Sequence, residues 1–287
     1  MLLVQDGYSV IQACQWLALP RSSFYYSPVE RKDQDIVAAI KKVVNEHAVY
    51  GTRRVTHQLH RKPYQMVVNR KQVQRIMRQE GWLRPVKRRK CRTTDSQHPY
   101  PRYPNLVKDL DITYPDQVWV ADITYIRLRN EFVYLAVILD VFTRNVRGWC
   151  LSRQLDQELT LTALKMALLT GTAPNIHHSD QGVQYAAIAY IELLKSHQTQ
   201  ISMAAVGKAE ENGYAERFMR TIKEEEVDLS EYRDFSDAQE QIGFFIEAVY
   251  NDKRIHSALN YLTPVEFELA YRLAFTQPAL KITPKNP

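Results

Sequence analysis

The segment WVADITYI (119–126) constrains the fold more than any other, because it places a carboxylate inside a run that otherwise looks buried. Apolar side chains alternate there between two faces, which is typical of a strand buried on both sides. A carboxylate within such a strand is costly unless something compensates its charge. We therefore expect Asp122 to bind a metal ion, in preference to the alternative of a satisfied structural aspartate.

Two further acidic residues stand in similarly informative contexts. Asp180 lies in HHSDQGVQY (177–185), at the predicted end of a short strand, and Glu216 lies in ENGYAERFMRTIK (211–223), in a predicted helix. Along the chain, 57 residues separate Asp122 from Asp180 and 35 separate Asp180 from Glu216. Three carboxylates suit Mg²⁺, which prefers oxygen ligands, and two such ions roughly 3.5–4 Å apart can promote phosphoryl transfer. The alternatives are an Asx turn at Asp180 and a solvated charged helix face at Glu216.

The helix that carries Glu216 also has a polar face. Offsets of four, four and three residues place four side chains on it: Asn212, Glu216, Arg220 and Lys223. Lys223 lies about two turns beyond Glu216, so we expect it to project toward whatever the metal ions bind. An ammonium group there could meet a phosphate as a point charge.

Several segments resemble, in the same order, the motifs of one protein family. They are Asp122 shortly after a VW pair, HSDxGxQY at 178–185, FxxTxK after Glu216, YNDKRIHSALNYLTP at 250–264, YGTRRV at 50–55 and VNRKQVQRIMRQEGW at 68–82. Together they resemble the DDE transposases and retroviral integrases, and more narrowly the second-reading-frame (OrfB) protein of the bacterial insertion-sequence-three family. The resemblance covers about residues 1–270. Two departures are Glu211, where many members have Asp, and an amino end without a His/Cys zinc module.

The resemblance implies an α/β fold, with a ribonuclease-H-like catalytic core built on a mixed five-stranded sheet flanked by helices. A small all-α helix-turn-helix DNA-binding region would precede that core. The implied activity is that of a transposase, which cleaves phosphodiester bonds at the ends of a mobile element and joins them to a target. In this role Asp122, Asp180 and Glu216 would be catalytic and would hold two Mg²⁺ ions, for which Mn²⁺ would substitute.

The same resemblance implies partners for the chain. These are double-stranded DNA of the terminal inverted repeats and of the target, further copies of the chain, and an upstream first-reading-frame protein or fusion. The DNA contacts predicted within the core are Asn212, Arg220, Lys223, Arg254 and His256.

Charge divides the chain unequally. Residues 1–105 hold 20 Lys+Arg against 7 Asp+Glu, a net charge of +13, while residues 106–287 hold 18 against 25, a net of −7 that completes the overall +6. We expect the basic front part to bind a polyanion. The domains predicted from these patterns are a helical DNA-binding region (1–83), a basic linker (84–105), the catalytic core (106–270) and a tail (271–287).

A basic helix is predicted within the front part, with Asn69 as its N-cap and Gly81 at its end. Following another short helix, it would be presented to a DNA groove as in a helix-turn-helix module. The predicted DNA contacts of this region are Arg53, Arg54, Arg70, Lys71, Arg75 and Arg78. Those of the linker are Lys87, Arg88, Arg89 and Lys90.

Beyond the linker the hydrophobic pattern predicts alternating strands and helices. The predicted strands are 118–128, 132–141, 146–151, 175–179 and 200–203. The predicted helices are 157–170, 186–197, 211–227 and 236–251. Three antiparallel strands followed by this alternation predict a mixed sheet with helices on both faces.

Some acidic and histidine residues have weaker claims to the site. Asp140, which closes the second strand, is the residue most easily mistaken for a metal ligand. An oxygen-rich Mg²⁺ site does not favour imidazole, so we expect His177, His178 and His256 to position substrate or to form hydrogen-bonded structure. The acidic run 224–226 is predicted to be a solvated helix face.

Composition excludes several other classes of protein. Cys14, Cys91 and Cys150 are scattered and form no CxxC pair, which suits a reducing cytoplasm, and we expect a cytoplasmic, nucleoid-associated bacterial protein without membrane contact. The longest uncharged apolar run, 132–139, is too short to span a bilayer. No nucleotide-binding P-loop motif is present. Two rivals remain open: a nuclease on the same fold that never joins strands, and a DNA-binding regulator with a non-catalytic core.

Overall fold

The centre of the larger part of the chain is a mixed five-stranded sheet, with strand order β3-β2-β1-β4-β5. The computed structural model describes residues 2–26, 33–83, 103–205 and 209–276. The strands are β1 (Val118–Arg127), β2 (Phe132–Asp140), β3 (Val146–Ser152), β4 (Ile176–Ser179) and β5 (Gln200–Met203). The pairs β1–β2 and β2–β3 are antiparallel, while β1–β4 and β4–β5 are parallel. Each strand matches its predicted position to within one residue.

Helices cover both faces of this sheet. They are α7 (Gln157–Leu168) and α8 (Ile188–Ser196) on one face, and α9 (Gly213–Ile222) and α10 (Phe235–Phe244) on the other. π-Helical turns extend α9 through Lys223–Val227 and α10 through Phe245–Asn251. The arrangement confirms the predicted architecture of a mixed sheet flanked by helices.

The alternation along β1 explains why both of its faces are apolar. Val118 and Val120 pack with the α9 and α10 side, whereas Trp119 and Ala121 pack with the α7 and α8 side. Helix α7 lies so close to β3 that a side-chain carbon on Gly148 would stand 2.2 Å from the carbonyl oxygen of Ala163. β1 is therefore the central element that both helical layers contact, and Asp122 lies in its middle.

The amino-terminal region is entirely helical in its described parts. Its helices are α1 (Leu2–Gln5), α2 (Val10–Trp16), α3 (Arg21–Phe24), α4 (Gln34–Glu46), α5 (Thr52–His60) and α6 (Arg70–Gln79). Asn69 caps α6, since its Oδ1 accepts the backbone N–H of Gln72 at 2.9 Å, and Gly81 follows the helix with φ +73°. Both ends of the basic helix are thus confirmed.

A carboxyl-terminal segment connects the two regions. Ile255 lies in the apolar core of the helical region, and its backbone N–H donates to the hydroxyl of Tyr50 at 3.0 Å. Helix α11 (Pro264–Thr276) passes the boundary predicted at residue 270 and continues six residues into the predicted tail. Most of the predicted linker, 84–102, and the end of the predicted tail, 277–287, lie outside the described residues.

No helix in the described ranges is long and apolar enough to cross a membrane.

Candidate functional site

The register of the sheet brings Asp180 beside Asp122. In the parallel β1–β4 pair, Val118 is opposite Ile176 and Val120 is opposite His178. Continued for two residues, the same register places Asp180 opposite Asp122, across the roughly 4.8 Å that separates neighbouring strands. The two carboxylates therefore come from adjacent backbone positions, although 57 residues separate them along the chain.

Asp180 forms the Asx turn that was the alternative interpretation of its sequence context. Its Oδ1 accepts the backbone N–H of Gly182 at 3.0 Å. A side-chain carbon on Gly182 would lie only 3.0 Å from the same oxygen, so glycine leaves room for the carboxylate. The turn fixes the orientation of Asp180 at the end of β4, and this local role is compatible with a place in the site.

Glu216 reaches the site because α9 is anchored on β1. The side-chain amide of Asn212, the residue that precedes α9, donates to the carbonyl oxygen of Ala121 at 3.0 Å. Ala121 is the neighbour of Asp122, so the first turn of α9 starts beside the buried aspartate. Glu216 follows one turn later on the same side of the helix and is exposed. Phe218 on the inner side is buried in the core and holds the helix there.

The charges of the other two carboxylates act on Asp122. Burial is the largest cause that raises the pKa of Asp122, to about 7, and the negative charges of Asp180 and Glu216 raise it further. The backbone N–H of Ile123, at 2.8 Å from Oδ1, and the ammonium of Lys223 act in the opposite direction. Three carboxylates thus repel one another around β1, which is the environment that a divalent cation stabilises.

The site is not a closed ligand shell. Within the described ranges, no three His, Cys, Asp or Glu side chains stand close enough together to hold a metal ion. Asp122 lies within β1 and Asp180 directly follows β4, whereas Glu216 is an exposed helix residue with a long side chain. The donor set consists of carboxylates, which are the ligands that Mg²⁺ prefers, so the chemistry of the donors fits that ion.

Lys223 lies where its helical offset predicted. Its Nζ is 4.8 Å from the centre of the Tyr125 ring on β1, and its charge acts on Asp122. Arg220, between Glu216 and Lys223 along α9, is exposed. The α9 face thus brings two cations to the edge of the carboxylate group.

The structure contradicts two predicted DNA contacts in the core. Arg254 is 3% exposed and forms a bidentate ion pair with Glu225, with Nε–Oε2 and Nη2–Oε1 distances of 2.7 Å. Asn212 is 4% exposed and bonded to β1. Each prediction failed because the polar group has a partner inside the protein. Instead of contacting DNA, Arg254 ties the carboxyl-terminal segment to α9, and Asn212 positions that helix.

His256 adopts one of the two roles expected for it, as hydrogen-bonded structure. It lies against Arg254, with Arg254 Nη1 3.3 Å from Nδ1, and against the Tyr250 ring at a centroid distance of 5.0 Å. Burial, followed by the charges of nearby arginines, holds the pKa of His256 well below its usual range. It does not present a cation to DNA.

The acidic run 224–226 is not a solvated helix face, so that prediction was wrong. Glu225 is buried in its pair with Arg254 and also contacts Arg54 of α5 at 3.4 Å. Glu226 accepts hydrogen bonds from Ser230 and Tyr232. The middle carboxylate joins the helical region to the core.

Glu211, which departs from the family pattern, has a structural role. Its Oε2 accepts the side-chain amide of Asn105 at 2.8 Å and the backbone N–H of Ala205 at 2.9 Å. It therefore ties the chain before β1 to the chain after β5.

The basic residues predicted in the front part divide into two groups. Arg53, Arg70, Lys71 and Arg78 are exposed. Arg54 pairs with Glu225, and Arg75 pairs with Asp33, so these two have partners within the protein. Lys87, Arg88, Arg89 and Lys90 lie outside the described residues.

His177 and His178 adopt the second of the two roles expected for them, hydrogen-bonded structure. His177 is hydrogen-bonded to the hydroxyl of Tyr190 at 2.9 Å, and His178 to that of Ser202 at 2.8 Å. Burial lowers the pKa of His177 to about 3 and that of His178 to about 4, so both rings are neutral at physiological pH.

Sequence reasoning overlooked two arginines beside the site. Arg217 follows Glu216 directly on α9 and is exposed. Arg144 lies in the β2–β3 turn, with its guanidinium carbon 4.0 Å from the centre of the Tyr214 ring. The position of Arg217 next to a predicted ligand was a visible signal, whereas the neighbourhood of Arg144 depends on the packing of the turn against α9.

Comparisons with known proteins agree with this geometry. Two family models described as "Integrase core domain" match residues 113–209 and 197–264, and a model described as "HTH-like domain" matches residues 30–90. The HTH-like match spans α4, α5 and α6, where helix-turn-helix character was predicted.

Relatives match over nearly their full length. A Shigella sonnei protein described as "Insertion element IS600 uncharacterized 31 kDa protein" is 35% identical, covering 90% of this chain and 98% of that protein. The "Transposase for insertion sequence element IS904" of Lactococcus lactis subsp. lactis is 33% identical, covering 80% and 91%. The "Transposase InsF for insertion sequence IS3A" of Escherichia coli K12 is 30% identical, covering 92% of this chain and 95% of that protein.

Among solved structures, the HTLV-2 integrase catalytic core domain, described in complex with magnesium, aligns with a TM-score of 0.44 and 17% identity, covering 54% of this chain and 97% of that chain.

Proposed function

Because this chain belongs to the insertion-sequence transposases of the insertion-sequence-three family, within the DDE transposase and integrase superfamily, we propose that it cleaves phosphodiester bonds at the ends of a mobile element and joins those ends to target DNA. The observation that supports this most is the placement of the three carboxylates: Asp180 follows β4, the neighbour of β1, and Glu216 lies one turn beyond Asn212, which is bonded to Ala121 beside Asp122. The charges of Asp180 and Glu216 raise the pKa of Asp122, and a bound cation would offset that repulsion.

The carboxylates would hold Mg²⁺, with Mn²⁺ as a substitute. Two such ions, when bound, lower the pKa of the attacking water or hydroxyl and offset the charge of the leaving oxygen. Asp122 and Asp180 supply ligand oxygens from fixed backbone positions on adjacent strands. Glu216 completes the set from α9, whose position depends on the bond from Asn212 to Ala121.

In the cleavage step, water attacks phosphorus and the bond to a 3′ oxygen breaks, which leaves a 3′ hydroxyl on the element end. In the joining step that hydroxyl attacks a target phosphodiester, and a target 3′ hydroxyl departs. The number of phosphodiester bonds is unchanged by joining, so no nucleoside triphosphate is required. Lys223 would hold a nonbridging phosphate oxygen near the reacting bond.

The helical region would supply much of the DNA affinity. Its exposed cations, Arg53, Arg70, Lys71 and Arg78, lie on α5 and α6, and its net charge is strongly positive. Contacts of this kind to phosphates give affinity that falls steeply with salt. Self-association and a partner from an upstream reading frame stay predictions of the family resemblance.

The test is a cleavage and joining assay with the full chain and duplexes that carry the element's own ends. We expect cleaved and joined products with Mg²⁺ or Mn²⁺ and none with EDTA. Asp180→Asn and Glu216→Gln should each abolish both products, because ligands that act as one unit fail together. The matched controls are Asp109→Asn and Glu192→Gln, exposed carboxylates elsewhere on the core, which should behave as wild type.

The outcomes separate this function from its two rivals. Cleavage without any joined product would indicate a nuclease. An absence of metal-dependent cleavage, together with sequence-specific DNA binding, would indicate a regulator with a non-catalytic core.

A further inference from the structure

Four arginines from distant parts of the chain lie where the helical region meets the core. Arg54 comes from α5, Arg144 from the β2–β3 turn, Arg217 from α9, and Arg254 from the segment after α10; we call them the seam arginines. Arg54 and Arg254 both contact Glu225. Arg144 packs on the Tyr214 ring, and Tyr214 lies three residues before Arg217 on α9. The charges of all four arginines lower the pKa of His256. Arg217 also acts directly on Arg54, so the cluster spans the boundary between the helical region and the core.

The carboxylate pairing within this cluster is incomplete. Glu225 pairs with Arg254 at 2.7 Å and with Arg54 at 3.4 Å, so one acid serves two guanidinium groups. Among the described residues, neither Arg144 nor Arg217 has a carboxylate within ion-pair distance. The cluster therefore carries an excess of positive charge where the two regions meet.

Arg144 is the least satisfied member. Its Nη1 is buried and has no hydrogen-bond acceptor among the described residues. A buried donor without an acceptor costs about 1–3 kcal/mol, and more when the group is charged. The flat face of the Arg144 guanidinium packs on the Tyr214 ring. The N–H group at Nη1 points along the plane of the guanidinium and still requires an acceptor.

A cavity beside Arg217 lies on the face of β1 that carries Asp122. Tyr214 and Arg217 line a cavity of about 550 Å³, and Val118 and Val120 form part of its wall. Those valines precede Asp122 on the same face of β1. On α9, Arg217 follows Glu216 by one residue, about 1.5 Å along the axis and 100° around it. A strand that passes Glu216 can therefore also meet Arg217.

We propose that Arg144 and Arg217 form a binding site for a backbone phosphate of DNA, reinforced by the charge of Arg54, within a few nucleotides of the bond that is cut. Guanidinium groups suit this ligand because their paired N–H donors match phosphate oxygens. A phosphate there would supply the acceptor that Arg144 Nη1 lacks. It would also bring one DNA strand into contact with both regions of the protein. The inference rests on the proposed function, since the DNA concerned is the transposase substrate.

The test is the salt dependence of DNA binding by the full chain, measured in EDTA with a fluorescent mixed-sequence duplex between about 50 and 200 mM salt. Arg144→Gln and Arg217→Gln should each reduce the slope of log affinity against log salt by about one. At about 0.1 M salt this corresponds to roughly eightfold weaker binding. Arg144→Lys and Arg217→Lys, which keep the charge, should retain the slope.

The matched control is Lys195→Gln, which removes an exposed charge from α8 on the opposite face of the sheet and should leave the slope unchanged. If Arg144 serves only to pack on Tyr214, Arg144→Gln will lower the melting temperature without altering the slope. Slopes for both glutamine variants equal to that of Lys195→Gln would overturn the proposal. Should Arg144→Gln fail to fold, Arg217→Gln decides the test, because that side chain is exposed.

Failure of this inference is distinguishable from failure of the proposed function. The slope is measured without metal, whereas cleavage and joining require it. Wild-type cleavage and joining with unchanged slopes in both variants would remove the phosphate site alone. Changed slopes without any cleavage would keep the phosphate site and remove the transposase assignment.

Discussion

Two aspartates on the same pair of strands, Asp140 fully buried and Asp122 partly buried, have opposite surroundings. Asp140 accepts hydrogen bonds from the backbone N–H of Thr143 at 3.1 Å and from its hydroxyl at 2.5 Å, and Arg147 lies 3.7 Å away. Asp122, only three positions along the β1–β2 ladder, accepts a bond from its neighbour Ile123 and faces two further carboxylates. Both side chains are shielded from much of the solvent, so the main difference between them is the charge of their neighbours.

The pKa values express the same contrast. Burial raises the pKa of Asp140 to about 6, while Thr143 and Arg147 hold it down. Burial raises the pKa of Asp122 to about 7, and Asp180 adds to the increase. Asp140 therefore has hydrogen-bond donors and a cation beside it, whereas Asp122 has two further carboxylates among the groups that act on it.

The largest expected effect is on activity. Asp122→Asn keeps the size of the side chain but removes the charge that would hold the metal ions, so cleavage and joining should fall by at least about a thousandfold. Folding should be preserved, because the substitution also removes repulsion with Asp180. Gel assays of cleavage and joining, with circular dichroism to confirm the fold, measure both. Full activity in Asp122→Asn would contradict the assignment of the first carboxylate.

Asp140→Asn should have the reverse profile. The amide cannot accept all the bonds that end at Asp140, and Arg147 loses a nearby charge, so we expect a loss of roughly 2–3 kcal/mol in the free energy of unfolding. Urea titration measures that loss. The folded fraction should retain its activity per molecule. If Asp140→Asn were stable but inactive, Asp140 would belong to the site and the contrast would fail.

The pH dependence of stability sharpens the comparison further. A carboxyl with a raised pKa binds its proton more tightly in the folded state, so its contribution is favourable below about pH 4 and is lost as pH rises through about 7. Asp122→Asn should therefore gain stability relative to wild type from pH 5 to pH 8 in EDTA. Asp140 makes the same pH-dependent contribution to the stability of the wild type and of Asp122→Asn, so it cancels from their difference.

We expect the melting-temperature difference between these two proteins to change by roughly 3 °C or more across that range. A tenfold change in proton affinity is worth about 1.4 kcal/mol, and each kcal/mol moves the melting temperature by about 2–4 °C in domains of this size. Scanning calorimetry at the two pH values measures the change. A difference that stays constant with pH would mean that Asp122 titrates normally.

Local sequence patterns predicted much of this molecule. The five strands follow from the hydrophobic pattern, which alternates between faces along β1, and the ends of α6 follow from the chemistry of Asn69 and Gly81. The prediction that Asp122 belongs to the site came from a local conflict, a charge inside an apolar strand, and the structure places Asp122 within that strand. Such features depend on neighbours within a few residues, which the sequence displays directly.

The errors concern charges whose partners are distant in sequence. Arg254 was predicted to contact DNA and Glu225 to be solvated, yet they form one ion pair across 29 residues. Arg54 meets the same carboxylate across 171 residues. A single sequence shows that a residue is charged but not which tertiary contact neutralises it, so buried and DNA-facing arginines look alike.

The smallest predicted effect is that of changing Lys223. Its charge lowers the pKa of Asp122, as the charge of Arg147 lowers the pKa of Asp140. The Nζ of Lys223 lies against Tyr125. Lys223→Ala should reduce the slope of log affinity against log salt for end DNA by about one and slow strand joining. The stabilisation by Mg²⁺, measured as a shift in melting temperature, should stay near wild type because an ammonium group is not a ligand. Lys223→Arg should recover the slope, since a phosphate contact needs the charge first. If Lys223→Ala keeps both its slope and its joining rate, Lys223 pairs only with groups inside the protein. Its role would then be structural, like that of Arg147.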